Sequence, residues 1–545
     1  MSCRWSRVAA LLAVVTVICF ATAQATFLPA GVRYEEIECD IVVAGGSTAA
    51  LAASLAAART APEKRICLLE STNWPGGQLT SSAVSAVDFG THNDFAAMVA
   101  SLPGNPGKCW VSHWCYEPAD LLHKWIFPTI NQTKNLRVFY NTVVKKAYTA
   151  KGPHGDEVKS ILAVQRVPKE ENEAWRNRLS EDLLDWYSLY ESKTFNKKAL
   201  HFSAPLFIEA TEFGDLLVTA DAPFAQGIEY PYEDDYTTLD CGQTHVFPLY
   251  MSIEKEPVKQ PHFPPPPRGI SYEIPSQFSW GRIWSYRRSI GLEGPENEAR
   301  IGETSNQNWG PPPGNDYNLG YLYLPTQEVK AQAKNWHGGI NMTSLADAEL
   351  TAFGWYTYYS QQCNKTQKPE VCARVALAAS VAGTDLGLSK VPYLRESRRS
   401  IGIHNFRLMY ENMTSHVNPT GVVFADRVAI GEYFYADIHH MADGLCKYPA
   451  YLGDRSIKPY YVPFRALTNR DFGNMLVAGK TMAQTFKANA ATRLHPVEWT
   501  TGLAAGVAAA LMSTHSIPTT TQLYENNIKL LQETISTQAP LQWTL

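Results

Sequence analysis

The chain has 545 residues, 45% apolar and 18% charged, with 34 prolines, 35 glycines and a formal net charge of −4. That length exceeds one ordinary core, so two or more domains are expected, and the composition excludes wholesale disorder. A small net charge without a long Lys or Arg run argues against nucleic acid or an anionic membrane surface as partner.

Residues 1–25 read as a cleavable export signal. Arg4 and Arg7 give a basic start, Val8 to Phe20 is a 13-residue apolar stretch, and Ala21-Thr22-Ala23 or Ala23-Gln24-Ala25 offers small residues for cleavage. The stretch is short for a bilayer, so no membrane span is expected after cleavage. Sequons at Asn131, Asn341, Asn364 and Asn412 fit a secreted, extracellular or endomembrane-lumen protein. With Cys3 and Cys19 in the signal, eight cysteines remain. The close pairs Cys109/Cys115 and Cys363/Cys372 read as local disulfides, and Cys67, in an expected buried strand, as an inert core thiol. Neither pair has the CxxC partner or spaced histidines of a metal site, so none is expected.

Glu38 to Ala44 is a β-branched run of the kind buried in a parallel sheet. Gly45-Gly46-Ser47-Thr48-Ala49-Ala50 follows, then the Ala-rich Leu51 to Arg59. A second strand, Arg65 to Leu69, ends in Glu70, 24 residues after Gly46. Strand, tight turn and helix in this order suit a dinucleotide. Small residues let the backbone approach a pyrophosphate at the helix N-terminus, and the acidic side chain binds ribose hydroxyls. The motif runs Ala44-x-Gly46-x-x-Ala49, so its first glycine is replaced by Ala44; an ordinary buried βαβ unit is the rival reading. A second Gly pair follows in Ser71 to Thr80. Later, Asn474 to Gly479 is another apolar strand ending in Gly, and it leads to ATRLHPVEW (491–499) and a buried helix from about Thr501 to Met512.

Long motifs in a consistent order extend over nearly all of the mature chain. They are DIVVAGGSTAALAAS (40–54), LLESTNWPGGQLT (68–80), FIEATEFGDLL (207–217), QNWGPPPGNDYNLG (307–320), PYLRESRRSIG (392–402), YADIHH (435–440), VPFRALTNRDFGNMLVAGK (462–480) and ATRLHPVEWTTGLAAG (491–506). With these motifs the chain resembles the FAD-dependent oxidoreductase family. The resemblance implies an α/β fold, in which a discontinuous Rossmann-type FAD-binding domain carries an inserted α+β substrate or cap domain. It implies FAD contacts at Gly46, Glu70, Gly77, Gln78, Thr80, the Val144 backbone, Ala210, Gly479 and Gly502; Gly45 and Ser47 belong to the same turn. Glu212 stands where a Gly often follows Ala-Thr.

On this reading 34–150 is the first part of the FAD domain, and 151–220 holds an insert and a return strand, with an amphipathic helix within Glu170 to Tyr190. Residues 221–394 form the substrate or cap domain, 395–515 complete the FAD domain, and 516–545 are a tail with one helix, Thr520 to Ser536. Proline runs at 264–267 and 311–313 mark extended loops.

Four residues are catalytic candidates. His495 and Glu498 precede the helix expected to face the flavin, though Glu498 also suits a helix cap. His439 and His440 should face opposite sides of a strand begun by Tyr433 and Tyr435, with His439 a proton acceptor or a satisfied core histidine. Arg395 opens a run of charges (395–399) that reads either as a solvated surface or as a grip on flavin or substrate. Trp309 and Tyr317 are substrate platforms or loop anchors. His92 and Cys109 are conceivable points of covalent flavin attachment.

The expected activity is hydride transfer from a small alcohol, sugar or similar molecule to FAD, with O2 or a quinone as acceptor. No second dinucleotide motif offers a place for NAD(P)H. An amine or amino-acid oxidase, and an inactive FAD-fold carbohydrate-binding glycoprotein, are the rival readings.

Overall fold

A computed structural model describes residues 32–88, 95, 109–112, 114–170, 175–229, 240–290, 298–310, 314–414, 422–433 and 435–538. The expected export signal, His92 and the prolines at 311–313 lie outside them.

Strand β1 (Arg33–Glu38) and strand β2 (Ile41–Ala44) are separate, whereas the sequence suggested one run from Glu38. At Cys39 and Asp40 the chain changes sheets: the Cys39 N–H donates to Ser203 and the Asp40 N–H to Arg65. After β2 come helix α1 (Thr48–Thr60), β3 (Ile66–Leu69), β4 (Leu136–Phe139), β5 (Thr142–Gly152), β6 (Gly155–Pro168), helix α2 (Leu179–Trp186), β7 (Phe195–Ser203) and β8 (Leu206–Glu209). Strand β9 (Met475–Val477) returns much later.

The central sheet has the order β9-β8-β2-β3-β4, and every neighbouring pair is parallel. Its β2, β3, β8 and β9 runs are buried at every residue, because both faces are covered. The order reverses around β2, which places the ends of β2 and β8 at the switch point where such sheets bind nucleotides. A second sheet, β1-β7-β6-β5, joins β1 to β7 in parallel and is otherwise antiparallel.

Between β8 and β9 the chain adds a mixed region. A four-stranded antiparallel sheet orders Arg288–Ile290, Thr304–Gln307, Leu249–Ile253 and Val375–Leu377. A smaller sheet sets His245–Val246 between Asp316–Tyr317 and Tyr393–Leu394. Helix α3 (Met342–Gln362) packs beside them; Asn341 caps it by accepting from the N–H groups of Thr343 and Ser344.

Several local expectations need correction. Cys67 is not a free thiol: it is bonded to Cys39, because the turn between sheets brings Cys39 beside β3, with Cα atoms 6.1 Å apart. Cys109–Cys115 and Cys363–Cys372 pair as expected, and Cys241–Cys446 is a further bond. Cys109 therefore has no thiol to offer a flavin. Tyr433 and Tyr435 form no strand; Tyr435 makes a single bridge to Ser456, and the two rings stack. The tail holds two helices, Thr520–Asn526 and Ile528–Gln538, rather than one. Within Glu170 to Tyr190 only α2 is helical among the described residues. The last long helix, α4 (His495–Thr514), starts six residues earlier than expected, with Pro496 in its first turn.

Candidate active site

The C-terminal ends of the parallel strands converge on one crevice. Beyond β2, Gly46 has φ +133°, and a Cβ there would meet Ser71 Oγ at 2.7 Å. The glycine requirement extends to Gly45 rather than to position 44: a Cβ at Gly45 would lie 2.4 Å from Ala50 Cβ. Ala44 still sits in the strand, in register with Leu69 and Glu209, so its methyl does no harm. Ser47 caps α1, its Oγ accepting from the Ala50 N–H at 3.1 Å and donating to the Ala210 carbonyl at 2.7 Å. The first turn of α1 carries no acidic side chain, so its N–H groups and dipole are open to an anion.

Gly77, at φ +55°, packs against Ser47 and Thr48; a Cβ would come 2.6 Å from the Thr48 nitrogen. Gln78 Nε2 donates to the Arg493 carbonyl at 2.7 Å, while Gln78 Oε1 is buried without a partner. Thr80 Oγ1 donates within its own loop, to Pro75 at 2.8 Å. Glu70 caps β3. Both hydrogen bonds to its carboxylate, from the Thr72 N–H and hydroxyl, fall on Oε1, and burial pushes its pKa up to about 8. The Glu70 carbonyl accepts from Thr142 at the start of β5. Two residues on, the β5 register slips between Val144 and Lys146. At the far side Gly479, at φ +67°, and Gly502 both press on Ala49.

Behind this crevice lies a buried charge cluster. Lys480 Nζ is 2.5 Å from Glu498 Oε1 and 2.9 Å from Glu212 Oε2, and the side chains are 2%, 0% and 7% exposed. Burial pushes Glu212 up to about 7 against the pull of Lys480. Burial alone would lower Lys480, but the two carboxylates outweigh it and raise it. Glu498, expected as a catalyst or cap, is an ion-pair partner of Lys480 in the first turn of α4.

A second network lies beside the start of α4. His439 Nδ1 is 2.9 Å from Asp316 Oδ2, and its Nε2 is 3.0 Å from Asp437 Oδ2. Both ring nitrogens of His439 are thus engaged by carboxylates, which fixes the orientation of the ring. Arg395 grips Asp316 at 2.8 Å, and Arg493 grips Asp437 at 2.9 Å while donating to the Tyr393 hydroxyl. Burial opposes ionisation of Asp316 and Asp437. Their cationic partners and His439 overcome it and hold both below the usual range. His440 meets Arg455 instead, although the strand whose alternation was expected to separate the two rings does not form.

His495 is fully buried. Its Nε2 donates to the Val84 carbonyl at 2.8 Å, and its Nδ1 lies 3.3 Å from an Asp88 carboxylate oxygen. Both nitrogens are engaged, which makes it a brace between α4 and the loop at 84–88. Of the charged run at 395–399, every side chain is buried. Arg398 donates to the carbonyls of Phe213 and Gly339, and Arg399 to Glu229 at 2.8 Å. Trp309 and Tyr317 are buried too, with Tyr317 donating to Asp347. Sequence reasoning passed over Lys480, Arg493, Asp316 and Asp88. The available signal was a charge in an apolar frame: Lys480 closes the strand segment MLVAG, and Glu498 sits between Val497 and Trp499.

An enclosed cleft also lies away from this chemistry, bordered by Trp175, Trp186, Glu349 and Lys390. Lys390 Nζ stacks 3.7 Å from the Trp175 ring centroid, and no group from the strand-end crevice reaches in.

The family described as FAD dependent oxidoreductase matches residues 40–176 and 187–535. The chain belongs to that family. FAD is its cofactor, and the residues present fit one. The fit rests on the glycine-lined turn at 45–46, the acid-free first turn of α1 and the unpartnered Gln78 Oε1 beside it. Among solved structures, this FAD-dependent oxidoreductase is similar to a geranylgeranyl bacteriochlorophyll reductase-like protein from Thermoplasma acidophilum. Identity is 9%, covering 92% of this chain and 84% of that one, at a TM-score of 0.34. It is also similar to the myxobacterial chondrochloren halogenase CndH, at 11% identity over 92% and 79% of the two chains and a TM-score of 0.31. At these scores the likenesses add nothing to the family assignment. No curated protein matches the sequence.

Proposed function

We propose that this FAD-dependent oxidoreductase is exported and takes a hydride from a small alcohol, sugar or similar substrate, passing electrons to O2 or a quinone. The observation that carries this reading is the link between the strand-end crevice and the His439 network. Gln78 in the crevice bonds to Arg493, and Arg493 bonds to Asp437, a partner of His439.

FAD supplies the hydride acceptor when bound. Gly45, Gly46 and Ser47 would hold its diphosphate at the α1 N-terminus, with Gly77, Gln78 and Thr80 contributing beside them. Glu70 offers Oε2 to a ribose hydroxyl, and Val144 offers its backbone. Ala210, Gly479 and Gly502 keep the floor small enough for close approach. The α4 N-terminus would supply N–H groups and a favourable dipole to the negative charge that FAD gains on reduction. Arg395 and Arg493 hold Asp316 and Asp437, which fix His439 between them. A ring clamped at both nitrogens suits orienting a substrate oxygen better than taking its proton.

Four disulfides and two exposed sequon asparagines, Asn131 and Asn364, support an oxidising, glycan-bearing compartment. No helix among the described residues is long and apolar enough to cross a membrane. The test is an anaerobic screen of alcohols, alditols, sugars, hydroxy acids and amines against FAD-loaded protein. Bleaching of the flavin band by one class, with peroxide formed when air is admitted, is expected for an oxidase. If no compound bleaches the flavin although a chemical reductant does, the reading fails.

A further inference from the structure

Glu212, Lys480 and Glu498 come from three separate segments, and each segment meets the first turn of α1. Glu212 lies two residues beyond Ala210, whose carbonyl accepts from the Ser47 hydroxyl that caps α1. Lys480 directly follows Gly479, where a Cβ would lie 2.8 Å from Ala49 Cβ and 3.5 Å from Glu498 Cγ. Glu498 belongs to the first turn of α4, one turn before the Gly502 contact with Ala49. The cluster is thus tied to the place where the α1 N-terminus is open to an anion.

The charges of the cluster do not balance. One ammonium serves both carboxylates, and no hydroxyl or amide among the described residues donates to either of them. Other buried carboxylates are held differently. Glu209 accepts from the N–H groups of Thr211, Leu216 and Leu217, and Glu349 from the amide and hydroxyl of Ser180. A single ammonium compensates one carboxylate, so the second is either an under-compensated buried anion or a carboxylic acid. Like charges sharing one site bring these two states close in free energy. Burial and Glu498 raise Glu212 to about 7 against the pull of Lys480, in agreement with that count. The other groups facing Glu212 are Glu70 at the end of β3 and Tyr323, and neither brings positive charge. Arg398, 4.6 Å from the Tyr323 ring centroid, is committed to the carbonyls of Phe213 and Gly339. Lys480 faces only Tyr393 besides its two carboxylates. Negative charge added at the crevice therefore tips the pair toward the acid.

We infer that the Glu212–Lys480–Glu498 cluster takes up one proton when the bound FAD is reduced, and that Glu212 is the group protonated. The proton comes from solvent and converts a carboxylate into a carboxylic acid; no bond to the cofactor forms. Two electrons and one proton leave the reduced cofactor with one added negative charge. A second proton at Glu212 offsets that charge in an interior where charges are poorly screened. Reduction then consumes two protons, rather than one, over the range in which Glu212 titrates. Glu212 acts through the charge it shares with Lys480 and Glu498, as a compensating group rather than one that touches the ring. The inference rests on the crevice as the FAD site and goes beyond the proposed activity, because it holds for any electron donor.

The test is a spectroelectrochemical titration of FAD-loaded full-length protein with redox mediators, repeated from about pH 6 to about pH 9. For a two-electron couple, each proton taken up lowers the midpoint by about 30 mV per tenfold fall in proton concentration. Wild type should therefore fall by about 60 mV per pH unit near neutrality and by about 30 mV once Glu212 stays ionised in both redox states. Glu212→Gln should keep the shallower slope throughout, and Glu212→Asp should restore the steeper segment. Redox-difference infrared spectra should show a carboxylic acid C=O band gained on reduction in wild type and absent in Glu212→Gln. A single-proton slope over the whole range in wild type overturns the inference, as does a steep segment that survives in Glu212→Gln. Should that variant lose its flavin, the wild-type infrared band and Glu212→Asp decide. Electrons come from the mediators, so a failed substrate screen would sink the proposed activity without touching this result. Gly45→Val, whose side chain would collide with Ala50 and Leu68, should release FAD. Flavin held by it as tightly as by wild type would place the cofactor elsewhere and overturn the inference with its location.

Discussion

Gly502 in α4 lies so close to Ala49 in α1 that a Cβ at 502 would meet the Ala49 carbonyl oxygen at 2.2 Å. One turn on, Gly506 and Ala53 repeat the relationship at the same distance. Two small-residue stripes thus let the nucleotide-binding turn near the start of the chain dock on the helix near its end.

Gly502→Ala tests this contact. In an isolated helix the change gains up to about 1 kcal/mol. Here the methyl meets backbone, so α4 must move away, an overpacking cost of about 1–3 kcal/mol or more. Net destabilisation is expected in urea unfolding, with flavin lost on gel filtration. Gly502→Val should be worse in both respects. A Gly502→Ala protein that is more stable than wild type contradicts the close docking.

Lys480→Met should cost about 3–5 kcal/mol, the usual penalty for breaking a buried pair. Glu212 and Glu498 would then face each other without a cation. Adding Glu212→Gln should recover part of the loss, because it removes one of the two charges left behind. Additive single and double variants in chemical unfolding would show that the three groups do not act together.

Stability should peak in mildly acidic solution. Burial raises Glu209, Glu212, Glu349 and Glu396 from 4.5 to about 7, and Glu70 to about 8. Between those limits the folded chain holds protons that the unfolded chain releases, so their contribution to stability is lost as pH rises through that window. Asp316 and Asp437 act oppositely, for their pKa values are lowered. Their contribution is present above the ordinary 3.8 and is lost as pH falls below it. Thermal unfolding should therefore give a higher midpoint at about pH 5.5 than at pH 8 or pH 3. A midpoint that climbs steadily to pH 8 would contradict the burial of these carboxyls.

The βαβ unit was legible because its signals are local. Continuous apolar runs mark parallel strands, and a glycine turn followed by alanines leaves few other folds open. The family motifs then located β8, β9 and α4. The charge networks were not legible, because each is a tertiary relationship. Nothing near Glu212 in sequence foretells Lys480, and nothing near His439 foretells Asp316. The run at 395–399 illustrates the difficulty: five consecutive polar residues usually mean solvent, yet all five are buried. Their partners come from chain segments at 212–229, 316 and 338–339. The same reason hid Cys39–Cys67, for only the change of sheet at Cys39 brings the pair together.

The Cys241–Cys446 bond closes a separation of 205 residues, against 6 for Cys109–Cys115. Chain-entropy reasoning assigns the larger stabilisation to the longer loop. Replacing both Cys241 and Cys446 with Ser should cost about 2–4 kcal/mol in unfolding free energy. The same change at Cys109 and Cys115 should cost less. The long bond also has a local task. Gln243, two residues from Cys241, accepts from the His439 N–H at 3.2 Å, and Thr244 donates to the His439 carbonyl at 3.2 Å. Loosening this attachment should let His439 drift from its two carboxylates. Substrate turnover should then fall more than stability alone requires at temperatures well below unfolding. Equal losses of stability in the two double variants, with turnover untouched in both, would show that the long bond braces neither the fold nor His439.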